Sequence, residues 1–323
     1  MHRLAFKQFG KAREVLALED VASPPCPGGS VRLRLLASPI NPADLNFIAG
    51  TYGVKPELPA VPGIEGCGEV LESRTDGFAP GDRCIVLGGA GRWSEETVAT
   101  PESIFKLPAG IDPLQAAMLK VNPATAWRML TGIVPPQEGA WVIQNAANSG
   151  VGRAVIQLAP TLGLRTMNLV RRPELVDELK ALGADEVLLD EDVAVDAAKE
   201  ICGDDRPLLA LNAVGGDSAL RLMNVLGPGG HHVTYGAMAR RPLIIPNGLL
   251  IFKDLRFTGF WLTRWLKDAP RSEVGETYAR LAEAMRSGQL RLPVDATFPL
   301  DDFAAALARN ADPGRDGKVL FTP

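Results

Sequence analysis

The stretch that decides the fold is Trp141-Val-Ile-Gln-Asn-Ala-Ala-Asn-Ser-Gly-Val-Gly-Arg-Ala-Val-Ile-Gln157. Its first part, Trp141 to Asn145, is an apolar run that reads as a strand. Its last part, from Val151 to Leu162, has the spacing of a helix. Between them lies Asn145-Ala-Ala-Asn-Ser-Gly-Val-Gly152, a loop of small residues. A strand that turns into a helix through such a loop lets the backbone approach an anion closely. The first helical turn then directs its free N–H groups and positive dipole end at that anion. This is the arrangement of a dinucleotide pyrophosphate site. A glycine loop alone also occurs as a plain tight turn, so its neighbours matter.

Downstream, strands and helices alternate. Arg165–Val170 reads as a strand and Pro173–Leu182 as a helix closed by Gly183. Val187–Leu189 is a strand again, and Leu208–Ala213, Ser218–Leu226 and Gly230–Tyr235 continue the pattern. That repetition predicts a parallel sheet covered on both faces, a doubly wound α/β domain. The end of its second strand selects the cofactor. A site for NAD places Asp or Glu there to hold the ribose 2′-hydroxyl. This chain instead has Arg171 and Arg172, with no acid before Glu174. Two guanidiniums suit a 2′-phosphate, so the expected cofactor is NADPH.

Upstream, the texture is different. Short β-like runs such as Val31-Arg-Leu-Arg-Leu-Leu36 and Arg83-Cys-Ile-Val-Leu87 are separated by Ser23-Pro-Pro-Cys-Pro-Gly-Gly29, Val61-Pro-Gly63 and Ala79-Pro-Gly-Asp82. This rhythm predicts a mostly β domain. The tail from Leu292 regains it. The expected organisation is a first domain of residues 1–119 completed by 291–323, and a cofactor domain of residues 120–290.

The bulk properties exclude several classes. The chain has 323 residues, 46% hydrophobic and 22% charged, with a formal net charge of -4. A nucleic-acid surface would need a basic field, and no basic run occurs. The apolar stretches are too short to span a bilayer. The N-terminus, Met1 to Phe9, alternates like a strand and lacks a secretory or transit pattern, so a cytoplasmic protein is expected. The four cysteines, Cys26, Cys67, Cys84 and Cys202, form no C-x-x-C pair and read as small core residues. The three histidines, His2, His231 and His232, do not combine with them into a catalytic zinc site. No metal is expected.

Asn41-Pro-Ala-Asp-Leu-Asn46, Gly50-Thr-Tyr-Gly53 and Pro62-Gly-Ile-Glu-Gly66 resemble the N-terminal signatures of the medium-chain dehydrogenases/reductases. Zinc alcohol dehydrogenases of that superfamily carry a ligating Cys in the first segment and Gly-His-Glu in the third. Here Asn41 and Ile64 stand in those places, so the resemblance is to the zinc-free branch. Within it, Val121-Asn-Pro-Ala-Thr-Ala-Trp127, Val142–Gln157, Thr234–Met238, Leu250-Ile-Phe-Lys-Asp-Leu255 and Gly259-Phe-Trp-Leu262 are similar to the mitochondrial-type 2-enoyl thioester reductases. The similarity covers most of the chain, although the loop Gly88-Gly-Ala-Gly-Arg-Trp93 is shorter than its family counterpart.

The resemblance implies a GroES-like catalytic domain beside a Rossmann-type cofactor domain. It also implies NADPH-dependent reduction of the C=C bond of enoyl-CoA or enoyl-ACP, and a homodimer. Tyr52 matches the active-site tyrosine; its hydroxyl suits an oxyanion donor, a proton source or a nicotinamide-positioning group. Cofactor contacts are implied for Asn122, Asn148, Ser149, Gly150, Val151, Arg171, Arg172, Tyr235, Gly236, Ala237, Met238, Phe260, Trp261, Leu262, Thr263 and Lys318. Substrate contacts are expected from Asn41 and Trp261, while Trp261 and Trp265 equally suit an acyl cavity or an interface. Two other functions fit the same scaffold: reduction of quinones or other activated alkenes, and a non-catalytic NADPH-binding module.

Overall fold

Six short strands at the centre of the chain build one parallel sheet. They are β1 (Trp141–Gln144), β2 (Arg165–Val170), β3 (Glu186–Leu189), β4 (Leu209–Asn212), β5 (His231–Thr234) and β6 (Arg256–Gly259). The computed structural model describes residues 1–323. The strands lie in the order β3-β2-β1-β4-β5-β6, every neighbouring pair parallel. The order reverses between β1 and β4, which is where a doubly wound sheet gathers ligands at its carboxyl ends. Ile143, Met167, Leu169 and Ala210 point into one buried cluster with Leu222 and Met223, which explains why these strands read as continuous apolar runs.

The helix after β1, α1 (Gly150–Leu158), stops short of the expected end at Leu162. Pro160 lacks an N–H, and residues Ala159–Leu162 tighten into a 3-10 turn that ends on left-handed Gly163. The expected helix from Pro173 begins at Leu175.

The chain divides into two units: Met1–Val121 with Pro270–Pro323, and Asn122–Ala269. The expected return to the first unit at residue 291 is therefore corrected to Pro270. The helix Arg271–Arg286 buries Tyr278, Leu281, Ala282 and Met285. The Tyr278 hydroxyl donates to the Lys120 carbonyl at 3.1 Å, and its ring lies 6.0 Å from that of Phe105, so the helix completes the first unit's core.

In that unit, seven strands form a mainly antiparallel sheet centred on Val31–Pro39. Val31, Leu33, Leu35 and Ala37 face inward, while Arg32 and Arg34 alternate outward and pair with Glu96 and Glu69 at 2.8 Å. Strand Lys318–Phe321 lies between Val294–Phe298 and the end of Val31–Pro39, bringing the C-terminus back beside the latter. Phe321 packs edge-on against the buried Trp93, ring centroids 5.0 Å apart. No helix is long and apolar enough to cross a membrane.

Candidate active site

The anion loop is built from Asn145 to Ser149 at the carboxyl end of β1. Ser149 caps α1, its hydroxyl accepting the Gly152 N–H at 3.1 Å. Ala146 adopts a left-handed conformation, with φ 48°. A Cβ on Gly152 would lie 2.4 Å from the Ala147 carbonyl oxygen, so only glycine lets the helix start this close to the loop. Gly150 faces the carboxamide of Asn122, 3.0 Å from where its own Cβ would be. Asn122 is buried, and its amide nitrogen has no hydrogen-bond partner in the protein. A buried donor left open beside a helix start fits a polar ligand. These residues therefore suit a dinucleotide.

Asn145 ties the two loops on either side of the strand-order reversal. Its Nδ2 donates to Asn212 Oδ1 at 2.8 Å and to the Ser218 hydroxyl at 2.9 Å, while its Oδ1 accepts from the Ala213 N–H at 2.7 Å. Asn212 Oδ1 in turn accepts from the N–H groups of Val214 and Gly215. Ser218 donates its own proton to Asp190, which pairs with Arg221. None of Asn145, Asn212 or Asp190 was expected as a site residue. Tyr235 to Met238 follow β5, with the N–H groups of Tyr235 and Met238 donating to the carbonyls of Asn212 and Ala213 at 3.0 Å. Tyr235 is half-buried with its phenol held inside; burial pushes the phenol above its ordinary range, and the Ser149 side chain works against that shift. Ala237 and Met238 are both exposed.

Arg171 and Arg172 leave β2 at its carboxyl end and are both exposed, with Arg172 Nε 3.5 Å from Glu174. Phe260 follows β6, its N–H donating to the Thr234 carbonyl at 3.0 Å, and Trp261 precedes the helix Leu262–Asp268. Phe260 and Trp261 are half-buried, and Thr263 is exposed. Leu262 and Val151 are buried. The Arg128 guanidinium lies 5.1 Å over the ring of Trp265. That cation–π contact gives Trp265 a packing role within its unit.

Tyr52, Asn41 and Lys318 belong to the first unit. Tyr52 sits on the turn after the helix Pro42–Ile48, its N–H donating to the Asn46 carbonyl at 3.1 Å, its ring half-buried against the cluster of Phe47 and Ile48. Left-handed Gly50 makes that turn possible, since a Cβ there would lie 2.8 Å from the ring of Phe9. Asn41 corrects an expectation. It is 2% exposed; Nδ2 donates to Glu65 at 2.7 Å and Oδ1 accepts from the Lys318 ammonium. With both ends of its amide engaged internally, Asn41 is a bracket for charged neighbours rather than a substrate contact.

Those neighbours form a buried cluster that sequence reasoning missed. Glu65 accepts from Asn41 and, through its other oxygen, from the Val121 N–H at 2.8 Å. Asp44 accepts from the N–H groups of Asn41 and Ile64, each at 2.8 Å. Lys120 donates to the Ile64 carbonyl at 2.6 Å. Burial pushes the Asp44 carboxyl up to about 6, against the pull of its two N–H donors. It pushes Glu65 up as well, with Lys318 pulling it back. The same burial lowers Lys318 to about 8, with Glu65 resisting. Lys120 moves down for the same reason, aided by the Arg92 guanidinium. Asp44 and Glu65 lie inside the segments Asn41–Asn46 and Pro62–Gly66; their position between apolar residues was the available signal.

His232 is fully buried against Phe257, ring centroids 5.5 Å apart. No group of three or more His, Cys, Asp or Glu side chains is placed to hold a metal.

An open parallel sheet with a glycine-bearing anion loop, joined to a mainly antiparallel β unit, defines a nicotinamide-dependent dehydrogenase or reductase. Comparison with known proteins agrees. Residues 27–109 match the alcohol dehydrogenase GroES-like domain, and residues 150–283 the family described as zinc-binding dehydrogenase. The mitochondrial enoyl-[acyl-carrier-protein] reductase of Homo sapiens is 43% identical over 327 residues, covering 99% of this chain and 88% of the relative. Its Arabidopsis thaliana counterpart is 36% identical over 99% of this chain and 87% of the relative. Among solved structures, the Etr1p/NADP/crotonyl-CoA complex matches with a TM-score of 0.88 at 30% identity, covering 100% of this chain and 99% of that one. A Bacillus thuringiensis protein described as an NADPH:quinone reductase matches with a TM-score of 0.93 at 28% identity, covering 100% and 98%. The chain belongs to the medium-chain dehydrogenase/reductase superfamily, in its mitochondrial-type enoyl reductase branch. The expected cytoplasmic location is overturned by the same relatives, which from animals to plants are named mitochondrial.

Proposed function

We propose that this chain reduces the C=C bond of trans-2-enoyl thioesters, on CoA or acyl carrier protein, with NADPH. The observation that carries the reading is identity of 43% across 99% of the chain to an enoyl-[acyl-carrier-protein] reductase. The loop from Asn145 to Ser149 has the features such a cofactor needs. When bound, NADPH supplies a hydride to the β-carbon of the conjugated thioester. Negative charge then grows on the thioester oxygen, and the α-carbon takes up a proton.

The residues of the chain bind, orient and donate. Asn148, Ser149, Gly150 and the α1 N-terminus take the pyrophosphate, Asn122 offers its open amide donor, and Arg171 with Arg172 answer the 2′-phosphate. The loops of Tyr235–Met238 and Phe260–Thr263 leave neighbouring strand ends and flank the reactive end of the cofactor. Tyr52 supplies an O–H that stabilises the enolate or protonates the α-carbon. A preorganised donor of this kind lowers the transition state more than the ground state. Lys318, gripped by Asn41, is a further candidate cofactor contact. With Asn41 and Ile64 standing where the zinc enzymes carry ligands, the reaction proceeds without metal. The chain pairs with a second copy through β6, one of the two edge strands, whose Arg256, Thr258 and Gly259 are exposed.

The TM-score of 0.93 to the protein described as a quinone reductase favours a second reading, reduction of quinones. NADPH oxidation measured with crotonyl-CoA beside a benzoquinone separates the two. Turnover confined to the quinone would reject the enoyl reading, and tight NADPH binding without turnover on either would reject both. Tyr52→Phe is expected to lower kcat with crotonyl-CoA about tenfold or more while NADPH affinity holds. An unchanged kcat removes Tyr52 from the chemistry.

A further inference from the structure

Arg153 lies at the end of the first turn of α1, 7% exposed. A cation there opposes the helix dipole, and its burial adds a desolvation cost. The structure shows what offsets both. Arg153 Nε donates to the carbonyl of Asn148 at 3.1 Å, inside the anion loop. Its terminal nitrogen pairs with Glu178, on the helix Leu175–Ala181 that follows Arg171 and Arg172. Its own N–H donates to the Ser149 carbonyl at 2.8 Å, keeping the residue in register with the cap.

We infer that Arg153 and Glu178 are a positioning pair that locks the pyrophosphate loop to the segment reading the 2′-phosphate. A carbonyl in an anion loop repels phosphate unless it is turned away. The Arg153 guanidinium takes the Asn148 carbonyl as its acceptor, leaving the loop N–H groups to face the ligand. Glu178 fixes the other side of the guanidinium and so sets the distance from that loop to the helix behind Arg171 and Arg172. The planar fork of arginine makes the two contacts from separate nitrogens at fixed spacing, a geometry the single nitrogen of an ammonium does not reproduce.

This inference rests on the NADPH reading, and the test separates the two. Dissociation constants for NADPH and NADH are measured by fluorescence titration for the full chain and for Arg153→Met, Arg153→Lys and Glu178→Gln. The melting temperature without cofactor and kcat at saturating NADPH are measured alongside. Arg153→Met is expected to weaken both cofactors about tenfold or more, the loss of one charged hydrogen bond, with Lys failing to restore it. Glu178→Gln changes a part-exposed residue with little threat to folding. It is expected to weaken NADPH about threefold to tenfold with NADH nearly unchanged, kcat at saturation holding within about twofold. An unchanged NADPH-to-NADH ratio in Glu178→Gln, or an Arg153→Met variant that binds as wild type while melting earlier, overturns the pair's role and leaves NADPH use standing. Wild-type protein that does not bind NADPH removes the cofactor reading and this inference with it.

Discussion

Replacing Gly152 with alanine places one methyl group where the structure has no room for it. The added Cβ would sit 2.4 Å from the Ala147 carbonyl oxygen and 2.6 Å from the carbonyl carbon and Cα of the same residue. Unstrained contacts between such atoms need about 3.5 Å, so the overlap is roughly 1 Å. All three obstructing atoms are backbone, and no side chain can rotate away. Either the loop or the start of α1 must move. Overpacking of this kind costs about 1–3 kcal/mol. If that strain falls on the loop geometry required for the pyrophosphate, the NADPH dissociation constant rises about 5–150-fold. NADH should weaken equally, because both cofactors share the pyrophosphate. Gly150→Ala, in the same loop, is the milder comparison, expected to weaken both nicotinamides less than Gly152→Ala. Its Cβ would meet only the Asn122 carboxamide, at 3.0–3.4 Å, which can give way. Fluorescence titration of both variants with both nicotinamides, beside their melting curves, reads the effect. A Gly152→Ala protein that binds NADPH within twofold of wild type, with an unshifted melting curve, would refute the close-approach argument.

Arg171→Ala combined with Arg172→Ala is expected to raise the NADPH dissociation constant at least about tenfold and to spare NADH, since charged hydrogen bonds to phosphate contribute roughly 1.5–3 kcal/mol each. Equal losses for both cofactors, by the same titration, would move the 2′-phosphate elsewhere. His232 shapes the acid limb of stability. Burial lowers its pKa to about 4 from the ordinary 6.5, so between those values the unfolded chain binds a proton that the folded chain does not. Stability therefore falls as pH drops through that window, by up to about 3 kcal/mol, and His232→Phe should flatten the limb in denaturation curves at pH 4–7. Asp44→Asn replaces one of two acceptors by an amide donor facing an N–H group. It should cost about 1–3 kcal/mol in chemical denaturation, and a silent substitution would show that the bonds to Asn41 and Ile64 are dispensable.

The cofactor unit was legible because its information is local. Apolar runs such as Arg165–Val170 match the observed strand end to end, and the small residues before Gly150 mark the turn without help from the rest of the chain. Where tertiary context decides, the sequence pattern is not enough. The helix Arg271–Arg286 shows Tyr278, Leu281, Ala282 and Met285 at helical spacing, which announces an apolar face but not which core receives it. Only the bond from Tyr278 to Lys120 and the contact with Phe105 assign it to the first unit.

The buried charges were the least legible part, for a reason that bears on function. A lone Asp, Glu or Lys reads as surface by default, because burying it costs several kcal/mol unless partners are in place. The partners of Glu65 are Asn41 and Val121, and those of Lys318 begin with Asn41, far away in sequence and with no periodicity to connect them. Two carboxylates and two ammoniums are thus held where water would otherwise serve each one separately. Such a cluster is fragile to the loss of one member, since each deletion leaves an opposite charge uncompensated. Asn41 is its keystone: a neutral amide that donates to Glu65 and accepts from Lys318 keeps the two charges apart at a fixed spacing. A cysteine in that place, as in the zinc enzymes, offers no such two-sided bridge. The same substitution that takes away a ligand position therefore supplies the bracket for Lys318.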